Sequence, residues 1–218
     1  MSTATTSYID VIDQLPPDSS LVLRHVPWDE YEALLDAVGE AKHLRISYDD
    51  GNLQIMTLSS EHEDYQFRIN GMVTLLSLKR RIKVLCFGSS TIKAEEKGKG
   101  FEPDLCYYVQ TAAAIGNKTA LDFGSDAPPD IVVEVDLHHS SLSKFPIFAR
   151  FGIPEVWRYD GESFTMYELE QGQYVDVSAS RSLPLLTAAL LGEFLDRSKQ
   201  EDQYETLLAF DAWLSSHP

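Results

Sequence analysis

Cysteine is scarce in this chain. The 218 residues hold two, Cys86 and Cys106. Both sit in apolar, strand-like stretches and neither belongs to a CxxC or Cys/His spacing. Free buried thiols are therefore expected, and the pattern argues against a disulfide framework or a zinc site. Long apolar runs are missing as well. None approaches the roughly 20 residues that cross a bilayer, and the first residues, Met1 to Ser7, have neither the basic nor the apolar region of a signal peptide. The expectation is a cytoplasmic protein with no membrane partner. Basic residues are few: 18 Lys and Arg stand against 34 Asp and Glu, a net charge of -16. Backbone contacts to nucleic acid run on Lys and Arg, so a broad basic gripping face is not expected. Two local basic clusters remain, Arg80, Arg81 and Lys83, and Lys93, Lys97 and Lys99. No internal repeat and no low-complexity tract is present.

What is there reads as an ordinary globular composition, 44% hydrophobic and 24% charged, in one domain. Residues 1–20 read as a flexible leader with a turn at Pro16-Pro17-Asp18. The domain spans 21–197, and 198–218 form a C-terminal helix packed on it or used in association. Leu21 to Val26 alternate as a short strand. Pro27-Trp28-Asp29-Glu30 opens a helix that Gly39 can end. Leu44 to Tyr48 and Leu53 to Met56 form a hairpin about Asp49-Asp50-Gly51-Asn52. Ser59 or Ser60 caps a long helix running to Lys79-Arg80-Arg81. Val84 to Phe87 reads as a buried strand, Ser90 to Lys93 as the next, and Lys97 to Gly100 as a flexible loop. Strands follow at Leu105 to Val109, Ile131 to Val135, Glu155 to Tyr159, Ser163 to Leu169 and Tyr174 to Val177. A helix begins near Ser140 and ends at Gly152, and helices at 183–195 and 203–214 close the chain.

The run Ile131 to Val135 is apolar except for Glu134. Such a run reads as an interior strand covered on both faces, and a carboxylate inside it is costly unless paired or bound to a cation. Asp104 stands at the start of the preceding strand, and Lys144 on the helix that follows. Carboxylates at adjacent strand ends beside a lysine suit a divalent cation that keeps several waters, one of which attacks a phosphodiester. The candidate metal ligands are Asp104, Glu134 and the Val135 carbonyl. Lys144 would orient the water or stabilise developing negative charge, and Glu61, in the first turn of the long helix, would hold a metal-bound water. His62, His138 and His139 are secondary candidates.

Glu102-Pro103-Asp104, Val133-Glu134-Val135-Asp136 and Gly152-Ile153-Pro154-Glu155-Val156-Trp157, in this order and spacing, resemble the Uma-type family of restriction endonuclease-like proteins, of the PD-(D/E)xK nuclease superfamily. The resemblance runs from about Val26 to Phe194. It implies an α/β fold with a restriction endonuclease-like core, a mixed central β-sheet flanked by α-helices, here with additional antiparallel hairpins. It also implies Mg²⁺-dependent cleavage of phosphodiester bonds, with Mn²⁺ able to substitute and DNA as the expected substrate. Asp104 matches the motif's first acid and Glu134 its second. Where the superfamily pattern places lysine, two residues after Glu134, this chain has Asp136. Lys144 is the first substitute and Lys93 the second; in a third reading Asp136 joins the metal ligands and no lysine takes part. The alternative to an endonuclease is a catalytically silent copy of the fold acting as a protein-interaction module. A homodimer is expected, since two sites cut two strands.

Overall fold

The computed structural model describes residues 3–39, 43–119, 121, 123 and 126–217. In chain order the elements are α1 (Thr3–Ile12), β1 (Ser20–Leu23), α2 (Trp28–Val38), β2 (Leu44–Asp49), β3 (Asn52–Thr57), α3 (Ser60–Arg80), β4 (Leu85–Cys86), β5 (Ile92–Ala94), β6 (Lys99–Phe101) and β7 (Leu105–Tyr108). There follow α4 (Ala112–Ile115), β8 (Ile131–Val135), a 3-10 turn (Ser141–Lys144), α5 (Phe145–Phe151), β9 (Glu155–Tyr159), β10 (Phe164–Glu170), β11 (Gln173–Val177), α6 (Ala188–Arg197) and α7 (Gln203–Ser216). The chain divides into two compact units: Met1–Ser60 with Thr91–Glu102, and Glu61–Ser90 with Pro103–Pro218. No helix among the described residues is long and apolar enough to cross a membrane.

The first unit is an antiparallel sheet in the order β1-β3-β2-β6-β5. Its hairpin β2–β3 turns on Asp50 and Gly51, both at positive φ (46° and 88°), the tight two-residue turn whose twist matches that of the strands. Ile46, Leu53 and Ile55 bury one face against Tyr31 and Leu34 of α2. Tyr31 stacks on Tyr48 at 4.8 Å with Trp28 edge-on to both. This close approach requires Gly100 on β6, where a Cβ would lie 2.2 Å from the Tyr31 hydroxyl. Glu102 extends the ladder where Pro103 ends it: its carboxylate accepts from the Ile46 amide (2.9 Å) and the Thr91 hydroxyl (2.7 Å).

Several expectations change here. Residues Thr3–Ile12, expected to fray, form α1, and Ile12 is buried in this unit's core. The stretch Lys97 to Gly100, expected to be a loop, bends at Gly98 in the left-handed region and continues directly into β6. Lys99 of this stretch is held by Asp49 and Asp50, and Lys93 on β5 pairs with Glu32 at 2.8 Å.

The second unit is the mixed sheet, in the order β11-β10-β9-β8-β7-β4. Among the described residues only β8 and β9 pair in parallel; the other strand pairs of this sheet are antiparallel. Side chains alternate along β8, so Ile131, Val133 and Val135 enter the core with Tyr65, Ile69, Met72 and Leu76 of α3 and with Phe194 and Phe210 of α6 and α7, which leaves Glu134 for the opposite face. β4 is the terminal strand, and Cys86 on it is exposed rather than buried; Cys106 is buried as expected, and both are free thiols. α6 begins at Ala188, not at Leu183. Pro184 interrupts the apolar run, and the Thr187 hydroxyl caps the helix by accepting from the Leu190 amide at 3.0 Å. At the other end of the basic run on α3, Arg80 donates to the carbonyl of Leu214 at 2.6 Å, so this cation serves the C-terminal end of α7.

Candidate active site

Three elements bring the site together. β8 carries Glu134, the residue before β7 is Asp104, and the 3-10 turn that leads into α5 ends in Lys144. All three side chains are buried, with exposures of 3% for Asp104, 2% for Glu134 and 4% for Lys144. The turn is fixed by its own sequence: the Ser140 hydroxyl accepts from the Leu142 amide, and Pro146 at the start of α5 needs no amide partner.

Asp104 is stapled to β8 at both ends of its backbone and side chain. Its amide donates to the Val133 carbonyl at 3.1 Å, and its Oδ2 accepts from the Val135 amide at 2.7 Å. The same oxygen lies 3.1 Å from His62 Nε2. His62 Nδ1 is 2.8 Å from Gln66 Nε2. With the amide donating, Nδ1 accepts and Nε2 carries the hydrogen that points at Asp104.

Lys144 Nζ donates to Glu134 Oε2 at 2.7 Å. The second oxygen, Glu134 Oε1, is buried without a hydrogen-bond partner. Burial raises the Glu134 carboxyl from 4.5 to about 7; Lys144 pulls it down, while Asp104 and Asp136 push it further up. Burial works against the charge on Lys144, but Glu134, Asp104 and Asp136 outweigh it and hold the ammonium above its ordinary value. Lys144 is therefore a cation at neutral pH. As an ammonium it can stabilise negative charge.

Asp136 occupies the position of the superfamily lysine and has another task. Its Oδ2 accepts from the Ser141 amide (2.8 Å) and hydroxyl (2.9 Å) and is paired with Arg158 of β9. Burial opposes the charge on Arg158, and Asp136 reverses the balance and raises it. Asp136 thus anchors the first residue of the turn whose last residue is Lys144.

The sequence-predicted residues separate accordingly. Asp104, Glu134, Val135 and Lys144 share one network. Glu61 is exposed on the first turn of α3, and it is its neighbour His62 that reaches Asp104. His62 is in phase with the buried stripe Tyr65, Ile69, Met72, Val73 and Leu76, a helical period that Glu61 does not share. Lys93 is engaged by Glu32 within the first unit. Arg158 and Ser141 carry no sequence signal for their roles. Asp130 is a turn anchor, accepting from the amides of Val109 and Thr111.

A divalent cation fits this donor set through the buried, unpartnered Glu134 Oε1, an acceptor that otherwise stands desolvated at a cost. Among the described residues no three of His, Cys, Asp and Glu stand together as a metal-binding group. The carboxylates of Asp104 and Glu134 would suit Mg²⁺, an ion commonly held by one or two carboxylates with several waters retained.

Comparison with known proteins gives a family and a likeness of fold. The family model that matches the chain, over residues 28–196, is Uma2, described as "Putative restriction endonuclease". No curated protein matches. Among solved structures, the crystal structure of a "putative nuclease belonging to DUF820" from Anabaena variabilis superposes with a TM-score of 0.54 at 15% identity, covering 77% of this chain and 97% of that one. At that identity the likeness speaks for the fold.

Proposed function

The chain belongs to the Uma2 family, and on that premise we propose a metal-dependent endonuclease that hydrolyses phosphodiester bonds of DNA at Asp104, Glu134 and Lys144. The observation that carries the reading is Glu134: a carboxylate in an otherwise apolar interior strand, with one oxygen on Lys144 and the other unpartnered. The nuclease descriptions of the family and of the Anabaena variabilis protein support the reaction class.

Asp104, Glu134 and the Val135 carbonyl would hold Mg²⁺, with Mn²⁺ able to replace it. When bound, the ion supplies Lewis-acid polarisation and a water of lowered pKa. The protein's own part is positioning and charge. The Val135 amide and His62 hold Asp104 in one orientation. Lys144, cationic at neutral pH, stabilises the negative charge that grows on the phosphoryl oxygens as the nucleophile arrives. Asp136 and Ser141 hold the turn that delivers Lys144. Burying Lys144 on Glu134 carries a desolvation cost that a catalytic role would explain, which favours the enzymatic reading.

The test is cleavage of plasmid and oligonucleotide substrates with Mg²⁺ or Mn²⁺, wild type beside Glu134→Ala. Cleavage by wild type that disappears in the variant is the expected result. A folded, metal-loaded wild type that cuts neither substrate overturns the reading.

A further inference from the structure

The hydrogen-bonded chain that reaches Asp104 does not begin at His62. Gln66 lies one turn further along α3, where side chains four residues apart are neighbours. It is half-buried, and its Nε2 is 2.8 Å from His62 Nδ1. An amide nitrogen can only donate, so this contact commits Nδ1 to accepting. A neutral imidazole has one N–H, which then stands on Nε2, 3.1 Å from Asp104 Oδ2. The opposite tautomer would set an Nδ1–H against the amide N–H and a bare Nε2 lone pair against the carboxylate. His62 and Asp104 are 4% and 3% exposed, so bulk water could not make up either loss.

We propose that Gln66 is a positioning residue for the cation site: it fixes the tautomer of His62, and through it the orientation of the Asp104 carboxylate. The proposal rests on the cation site proposed at Asp104 and Glu134. Oδ2 of Asp104 accepts from two elements, from the Val135 amide of β8 at 2.7 Å and from His62 of α3. A single donor lets a carboxylate swing about that one bond, and a second from another direction fixes its plane. The Val135 donor is main chain and always present. The His62 donor exists only in one tautomer, and Gln66 selects that tautomer. Outer partners of a ligand change metal affinity by about ten- to a hundredfold. Gln66 would govern the ion's affinity from one residue further out.

Isothermal titration calorimetry of the full chain with Mg²⁺ and Mn²⁺ tests this without any cleavage. Gln66→Leu is expected to weaken binding about tenfold or more, with circular dichroism reporting the fold. In a His62→Gln background the effect of Gln66→Leu is expected to vanish, because an amide N–H at position 62 has no tautomer to choose. A Gln66 that served packing alone would cost the same in both backgrounds. The ¹⁵N shifts of the metal-free His62 ring give a second readout: Nε2–H in wild type, and a mixture of tautomers in Gln66→Leu. Should Gln66→Leu unfold, Gln66→Met takes its place; should His62→Gln bind no ion, the ring shifts decide. Wild-type affinity in Gln66→Leu, an equal loss in the His62→Gln background, or ring shifts that Gln66→Leu leaves unchanged would each overturn the proposal. A wild type that binds neither ion would overturn it together with the cation site. A wild type that binds and does not cut would overturn the endonuclease alone.

Discussion

At the scale of single residues, the site is governed by what burial does to charge. The carboxyl of Glu134 lies at about 7 in the folded chain against 4.5 when free. Between those values the folded chain keeps a proton that the unfolded chain has lost. The group's contribution to stability is complete below about 4.5 and gone above about 7. Without divalent metal, the melting temperature of wild type relative to Glu134→Gln is therefore expected to fall as pH rises through this window, and Mg²⁺ is expected to restore it at pH 8. A difference that is flat with pH would contradict the assignment. Lys144→Met is expected to lower kcat by about a hundredfold or more while the fold survives, since Glu134 can retain its proton. Asp136→Lys, which writes the superfamily lysine back into its usual position, is not expected to rescue that loss. It sets a cation beside Arg158 and releases Ser141, and breaking a buried pair of this kind costs about 3–5 kcal/mol; single-turnover cleavage and thermal melts of the double variant check both parts. The acids of this site were legible in the sequence because a carboxylate in an apolar strand stands out. His62 was legible only in the phase of its helix, and the Asp136–Arg158 pair was not, because the parallel register that joins β8 to β9 is not written in either segment alone.

At the scale of elements, most of the order was readable from periodicity and turn chemistry: the hairpin on Asp50-Gly51, the long α3, the interior β8 and the run of strands from β9 to β11. The failures share a cause. α1 has weak local signals and gains its place through the burial of Ile12. Leu183 and Leu186 are core residues without being helical; they sit where Glu155 accepts from the Ser182 amide (2.6 Å) and the Ser180 hydroxyl (2.8 Å). In each case a contact distant in sequence decides the local conformation. Gly100 offers a test of one such contact. Gly100→Ala places a methyl on the Tyr31 hydroxyl and is expected to cost about 1–3 kcal/mol. Adding Tyr31→Phe removes that oxygen and should recover part of the loss; equal melting temperatures for the single and double variants would show that the hydroxyl is not what α2 yields to.

At the scale of the whole molecule, charge sets the terms on which a polyanionic substrate is met. Within the two basic clusters, Lys93 and Lys99 are paired with acids, and Arg80 with the end of α7. With a net charge of -16, the chain would meet a DNA substrate as a polyanion of its own sign. For the proposed cleavage, kcat/KM is expected to rise as monovalent salt is added from very low ionic strength, the reverse of the dependence expected for a basic nuclease, because screening first relieves repulsion. A steady decline from the lowest salt upward would point to a cationic path to the site.

The two units are also interleaved along the chain. Residues Thr91–Glu102 belong with Met1–Ser60, and β6 pairs with β2. On the ribosome, β2 emerges some fifty residues before the strand that completes its ladder. During that interval it presents a bare edge, the kind of template on which other chains nucleate aggregates. The apolar side of α3 also emerges then, well before β8 and β9 exist to cover it. This stretch of synthesis is the nascent chain's most vulnerable period, when a holding chaperone has the most to protect.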